Sequence, residues 1–132
     1  MKNMKLIIVG GLLVFLLVIA ACTKNEEEAV KVNVISASEA KTLIDENENE
    51  VIIDVRSREE FNEKHIKDAV SIPVAIIEEN IENVAPSKDT LILLYCKSGK
   101  RAEEAAKTLM KLGYTNVHSF GSIDNWEYDI VE

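Results

Sequence analysis

The stretch that decides the fold of this chain reads Leu91-Ile-Leu-Leu-Tyr95, then Cys96-Lys-Ser-Gly-Lys-Arg101, then Ala102-Glu-Glu-Ala-Ala-Lys107. The apolar first part predicts a buried strand, and the last part consists of residues that favour a helix. A short basic loop with one glycine joins the two. In an α/β protein such a loop lies at the carboxyl end of a strand, which is where ligands bind.

Cys96 is the candidate nucleophile because it opens this loop, just before the start of a helix. The helix N-terminus carries a partial positive charge, and Lys97, Lys100 and Arg101 add full charges, so the thiolate is favoured. Gly99 lets the backbone turn so that successive N–H groups point into the loop. The pattern predicts an exposed, reactive thiol. The alternative is a buried structural cysteine that packs as a small apolar residue.

Strand-forming and helix-forming segments alternate along the chain from residue 30 to residue 132, which predicts one domain over this range. The predicted strands cover residues 30–35, 51–55, 69–72, 90–95 and 117–120. The predicted helices follow the capping boxes at Ser36 and Ser57, cover residues 76–84 and 100–112, and end with a short helix containing Trp126. This order predicts a parallel sheet with helices on both faces. Asp54, Cys96 and the loop after Phe120 should then meet at the carboxyl edge of the sheet.

The first 21 residues form a predicted signal peptide, in which Lys2 and Lys5 precede an apolar segment over residues 6–21. The ending Ile19-Ala-Ala-Cys22 resembles the lipobox of bacterial lipoproteins. That resemblance implies cleavage before Cys22, lipid on its thiol, and residues 22–29 as a tether. It also implies export, with a lipid anchor on the outer face of the cytoplasmic membrane. The alternative is an uncleaved N-terminal anchor helix, which would tether the domain to the same face.

The charge of the chain restricts its partners. The 132 residues include 23 Asp and Glu against 15 Lys and Arg, and two of the lysines lie in the signal peptide. So acidic a chain is unsuited to nucleic acid or to anionic lipid surfaces. The loop after Cys96 is a basic island in it and indicates a small anionic ligand. With Cys22 lipidated, Cys96 is the only free thiol, and the two histidines show no metal-ligand spacing, so we expect no metal.

Several spaced motifs resemble the rhodanese-like domain family. They are Asp54-Val-Arg56, Glu60-Phe61, His65-Ile66, Ala69-Val70, Ile72-Pro73, the hexapeptide from Cys96, and Gly121-Ser-Ile123 with Trp126. They occur in the family's order and span about residues 30–128. The resemblance implies a five-stranded parallel sheet flanked by helices. Two positions depart from it, because Asp68 and Ser122 stand where the family usually or often has glycine.

The resemblance also implies a chemistry, transfer of a sulfane sulfur through a persulfide on Cys96. A donor such as thiosulfate would be bound by the loop, and a thiol or cyanide would accept the sulfur, with no organic cofactor. The loop residues concerned are Lys97, Ser98, Gly99, Lys100 and Arg101. Asp54 and Arg56 would support the loop structurally. We expect a monomer.

Three other functions remain open at this point. A Cys-dependent phosphatase needs five residues between its cysteine and arginine, whereas only four separate Cys96 from Arg101. A non-catalytic binding module would not need the cysteine and the basic loop. A persulfide carrier that delivers sulfur to a protein partner would use the same thiol as the enzyme.

Overall fold

The structure is a computed structural model that describes residues 30–132. The predicted signal peptide (1–21) and the tether (22–29) with Cys22 lie outside the described residues. Among residues 30–132, no helix is both long and apolar enough to cross a membrane.

The described chain alternates strands with helices as predicted. In chain order the elements are α1 (Ala37–Glu46), β1 (Val51–Asp54), α2 (Arg58–Glu63), β2 (His65–Ile66), β3 (Val70–Ser71), a 3₁₀ turn (Val74–Ile76), α3 (Ile77–Val84), β4 (Ile92–Cys96), α4 (Lys100–Lys111), β5 (Val117–Ser122), a second 3₁₀ turn (Ile123–Asn125) and β6 (Ile130–Val131).

Four parallel strands form the main sheet in the order β3-β1-β4-β5, which places β4 in its interior. The expected strand at residues 30–35 is reduced to a parallel bridge between Val34 and Ser119. There the Ile35 N–H donates to Ser119 O at 2.9 Å, and the Ser119 N–H donates to Asn33 O at 2.9 Å. The sheet therefore has four strands and one bridging residue at its edge, where the sequence predicted about five strands.

Helices cover both faces of this sheet, which confirms the predicted fold class. Side chains of a strand point alternately to opposite faces, so β4 contributes Leu94 to one core cluster and Leu93 to the other. The first cluster includes Leu109 of α4 and Ile81 of α3, and the second includes Ala40 of α1. Every residue of β4 is buried, as its continuous apolar run predicted.

Side-chain caps start α1 and α2 where the sequence predicted them. Ser57 Oγ accepts the Glu60 N–H at 3.2 Å, while the Glu60 carboxylate accepts the Ser57 N–H at 3.3 Å, which completes a capping box. Ser36 Oγ accepts the Glu39 N–H at 3.1 Å, but the Glu39 carboxylate accepts the Ser36 hydroxyl at 3.2 Å rather than the Ser36 N–H, so only half of the capping box predicted there forms. The sequence predicts that α2 runs to about His65, whereas in the structure it ends at Glu63.

The chain contains one small sheet that the sequence did not predict. β2 pairs antiparallel with β6, so that His65 lies opposite Val131 and Ile66 opposite Ile130. A strand of two residues is too short to show an alternation of apolar and polar side chains, and the two partners are far apart in sequence, so this pairing could not be predicted. The predicted helix containing Trp126 is wrong in detail, because the 3₁₀ turn stops just before Trp126.

Candidate active site

The loop after β4 forms the candidate site, and it is very short. β4 ends at Cys96, and α4 begins at Lys100 with Gly99 as its N-cap. Gly99 has a φ of 93°, in the left-handed region that favours glycine. With this conformation its N–H donates to Cys96 Sγ at 2.9 Å. A Cβ at Gly99 would lie 3.7 Å from Gly121 Cα, an ordinary contact, so the φ angle rather than space selects glycine here.

The predicted exposure of the thiol is wrong, because Cys96 is 0% exposed. Cys96 packs in the core cluster that includes Leu94 and Ala102, and the Gly99 N–H contacts its sulfur. A reagent therefore reaches Sγ only when the atoms that cover it move. Although it is buried, the sulfur still has a polar contact, because the Gly99 N–H donates to it.

The cationic side chains of the loop have different surroundings. Lys97 and Lys100 are exposed, as is Ser98. Arg101 instead donates to Glu60, with Nη1–Oε1 at 2.9 Å and Nη2–Oε2 at 3.3 Å. The Arg101 guanidinium lowers the pKa of Glu60 to about 2 against the opposing effect of burial, and this hydrogen-bonded pair raises the pKa of Arg101. Arg101 thus forms an ion pair with Glu60, and no pattern in the sequence connects Glu60 with the loop.

Asp54 and Arg56 form a buried ion pair at the end of β1. Their exposed fractions are 0% and 4%. Arg56 Nη2 lies 2.7 Å from Asp54 Oδ2, and Arg56 Nε donates to both carboxylate oxygens. The same Nη2 donates to Lys64 O at 2.7 Å, at the end of α2. The pair therefore joins the carboxyl end of β1 to the start of β2.

Tyr95 belongs to the same buried network, although no motif in the sequence indicates a role for it. Its hydroxyl accepts the Ile66 N–H at 3.0 Å, and the Arg56 guanidinium carbon lies 5.8 Å from its ring centroid. Burial raises the pKa of Tyr95, so its phenol stays neutral. Because Tyr95 precedes Cys96, this network holds the strand at the position where the loop begins.

The strand ends come together as the topology predicted. Asp54 pairs in register with Tyr95, and Cys96 lies opposite Ser122. The loop after β4 approaches the end of β5, where Gly99 lies close to Gly121.

The two positions that depart from the family pattern are each accommodated locally. Asp68 adopts a φ of 68°, a conformation that aspartate tolerates better than most residues. Ser122 Oγ accepts the Asp124 N–H at 3.0 Å, so its hydroxyl caps the 3₁₀ turn that follows.

His65 has structural contacts at the end of α2. Its ring stacks on Phe61 with 3.8 Å between ring centroids, and its Nδ1 lies 3.0 Å from Phe61 O. Within residues 30–132, no group of three or more His, Cys, Asp and Glu side chains is arranged to hold a metal ion.

Comparison with known proteins identifies the family. The family model for the rhodanese-like domain matches residues 36–129. This chain belongs to the rhodanese-like domain family. Its fold agrees with that of an Escherichia coli structure described as a rhodanese with anions, at a TM-score of 0.61 and 30% identity, over 63% of this chain and 98% of that one.

Two relatives of this rhodanese-like chain carry names that refer to sulfur. It is 32% identical over 71 residues to thiosulfate sulfurtransferase PspE of Escherichia coli, covering 54% of this chain and 68% of that protein. It is 33% identical over 93 residues to the putative sulfur carrier protein YrkF of Bacillus subtilis, covering 70% of this chain but only 49% of YrkF. The family and these relatives support sulfur transfer as the general class of function.

The buried ion pair makes a prediction about stability. Asp54→Asn leaves the Arg56 guanidinium buried without its counter-ion, so we expect the free energy of unfolding to fall by about 3 kcal/mol. As a control, Asp45→Asn removes a carboxylate from the more exposed pair with Lys41 and should cost less than about 1 kcal/mol. Urea denaturation followed by circular dichroism measures both. Equal losses in the two variants would contradict the structural role of Asp54.

Proposed function

We propose that this chain is a sulfurtransferase that moves a sulfane sulfur through a persulfide on Cys96. The donor is thiosulfate or a persulfide, and the acceptor is a thiol or cyanide. The observation that carries the proposal is the position of the sulfur, which lies at the end of β4, beside the start of α4, and accepts the Gly99 N–H at 2.9 Å. A sulfur in this position is stabilised whenever it carries negative charge.

The reaction divides into two displacements at sulfur. The Cys96 thiolate attacks the outer sulfur of thiosulfate, a new S–S bond forms, and sulfite leaves with the electron pair of the broken S–S bond. The acceptor, as thiolate or cyanide, then attacks the outer sulfur of the persulfide, and the Cys96 thiolate is restored. Electrons balance in both steps without a general acid or base. Between the two steps the negative charge of the persulfide lies on its outer sulfur. The Gly99 N–H and the N-terminus of α4 stabilise the Cys96 thiolate, which attacks in the first step and leaves in the second.

One observation favours a persulfide carrier as the second candidate function. Cys96 is 0% exposed, so the persulfide intermediate forms and reacts only when the atoms that cover the sulfur move. A covered persulfide is shielded from small thiols between the two displacements. It can therefore await a protein acceptor that opens the loop by binding to it. The relative rates of transfer to cyanide, to a small thiol and to a protein thiol distinguish the carrier from the enzyme.

Cys96→Ser should abolish sulfur transfer without unfolding the domain. The wild-type protein, incubated with thiosulfate, should gain the mass of one sulfur atom, and cyanide should remove it. The variant should gain none, because serine forms no persulfide. Intact-mass spectrometry measures both, and circular dichroism checks the fold. Near-wild-type turnover by the variant would exclude the persulfide mechanism.

The exposed lysines of the loop should attract an anionic donor. Replacing both Lys97 and Lys100 by Glu places a repulsive field beside the sulfur. We expect kcat/KM for thiosulfate to fall about tenfold to a hundredfold, and less at high salt, because exposed charges are screened within about 8–10 Å. The control, Lys107→Glu with Lys111→Glu, makes the same charge change further along α4. An equal loss in the control would show that only net charge matters.

We further propose that the protein is exported and held by lipid on Cys22 at the outer face of the cytoplasmic membrane. The support is sequence alone, the apolar segment 6–21 followed directly by Cys22. Cys22→Ala should therefore leave the precursor uncleaved and should prevent incorporation of labelled fatty acid. A variant that is still cleaved and still sediments with membranes would mean that a different tether operates.

A further inference from the structure

The Glu60 carboxylate lies between two structural elements and bonds to both. On one side its Oε1 accepts the Ser57 N–H at 3.3 Å and the Ser57 hydroxyl at 3.1 Å, which caps α2. On the other side both of its oxygens accept the Arg101 guanidinium, across 41 residues of sequence. A single carboxylate thus connects the start of α2 to the first turn of α4.

Arg101 is well placed to transmit this restraint to the sulfur. It lies two residues after Gly99, whose N–H contacts Cys96 Sγ, and all three belong to one tight strand-to-helix connection. In the part of the chain that the structure describes, the side chains of Lys97, Ser98 and Lys100 are exposed. The Arg101 side chain therefore provides the long-range polar restraint on this connection.

We propose that Glu60 is a positioning residue, which through Arg101 holds the Gly99 N–H on the Cys96 sulfur. The inference rests on the proposed sulfur transfer, and it assigns different tasks to the cations of the loop. Arg101 holds the loop in place, while Lys97 and Lys100 are free to meet an anionic donor.

The geometry supports this division of roles. A two-point contact between guanidinium and carboxylate fixes direction as well as distance. The low pKa of Glu60, about 2, keeps the pair ionised at neutral pH. A donor anion that approached Arg101 would also meet the Glu60 carboxylate, which would repel it.

A purely electrostatic role for Glu60 predicts the opposite result. If Glu60 only weakens the positive charge of Arg101, then its neutralisation should strengthen the field at Cys96 and improve the use of thiosulfate. If Glu60 positions the loop, its neutralisation should loosen the Gly99 contact and impair the reaction. The sign of the change therefore separates the two roles.

Glu60→Gln tests this, because glutamine can still complete the capping box but offers only one acceptor oxygen to Arg101. Its control is Glu59→Gln, the same change of charge at the neighbouring exposed position of α2. We expect kcat/KM for thiosulfate to fall about tenfold in Glu60→Gln, mainly through kcat, and to stay within about twofold in the control. Arg101→Gln should cause a similar loss, and the double variant should lose little more than either single variant.

A second readout does not depend on sulfur transfer. The rate of Cys96 alkylation by a neutral reagent rises with pH as the thiolate forms, and the midpoint of that profile reports how well the thiolate is stabilised. In Glu60→Gln the midpoint should move to higher pH. Ser57→Ala removes the hydroxyl cap but leaves the Glu60–Arg101 pair, so it should lower the Tm without moving the midpoint.

Each outcome decides a separate point. A midpoint that moves to lower pH, with faster thiosulfate turnover, would overturn the positioning role in favour of simple charge compensation. An unchanged midpoint and unchanged turnover would mean that the pair is a surface salt bridge without effect on the site. If the midpoint rises as expected but the wild-type protein takes no sulfur from thiosulfate or a persulfide, the positioning role stands and the proposed function fails.

Discussion

The hydrogen bond from the Gly99 N–H to the Cys96 sulfur is the interaction on which the site depends. It requires a strand that ends at Cys96, a helix that starts at Lys100, and a left-handed residue between them. Glycine meets the last condition at little cost, whereas a residue with a Cβ at a φ of 93° would be strained. The rest of the fold fixes the two ends of this connection, since β4 lies inside the sheet and α4 packs against it through its alanines and Leu109.

A cluster of buried polar groups lies at the carboxyl edge of the sheet, next to this connection. Asp54, Arg56 and the Tyr95 hydroxyl are all buried there, and each has hydrogen-bond partners. Burying an ion pair gains little stability over an apolar core, but removing one partner is costly. Such a network specifies a single arrangement of the strand end. We interpret this network as fixing the end of β4, where the short loop begins. Glu60 restrains the other end of the loop through its contact with Arg101.

Local signals predicted most of the fold, and long-range contacts account for the remainder. The three β-branched residues that open β1, at positions 51–53, and the capping box at Ser57 are signals in adjacent residues, so β1 and the start of α2 could be predicted. The pairing of β2 with β6 and the contact of Arg101 with Glu60 join segments that no period connects. The burial of Cys96 was missed for a related reason. Polar neighbours in sequence suggested exposure, but in the structure Lys97, Ser98 and Lys100 are exposed while the Gly99 N–H points at the buried sulfur.

The contact between Arg101 and Glu60 changes how the basic loop should be understood. In the sequence, three cationic residues lie close to the thiol, but in the structure one of them, Arg101, is paired with the Glu60 carboxylate. The remaining two, Lys97 and Lys100, are exposed, so salt screens their fields before a donor arrives. The Gly99 N–H and the N-terminus of α4 lie next to the buried sulfur, where salt screens electrostatic interactions only weakly. Attraction of the donor and stabilisation of sulfur anions therefore belong to different groups. The first should depend on salt, while the second depends on keeping the backbone of the loop in place.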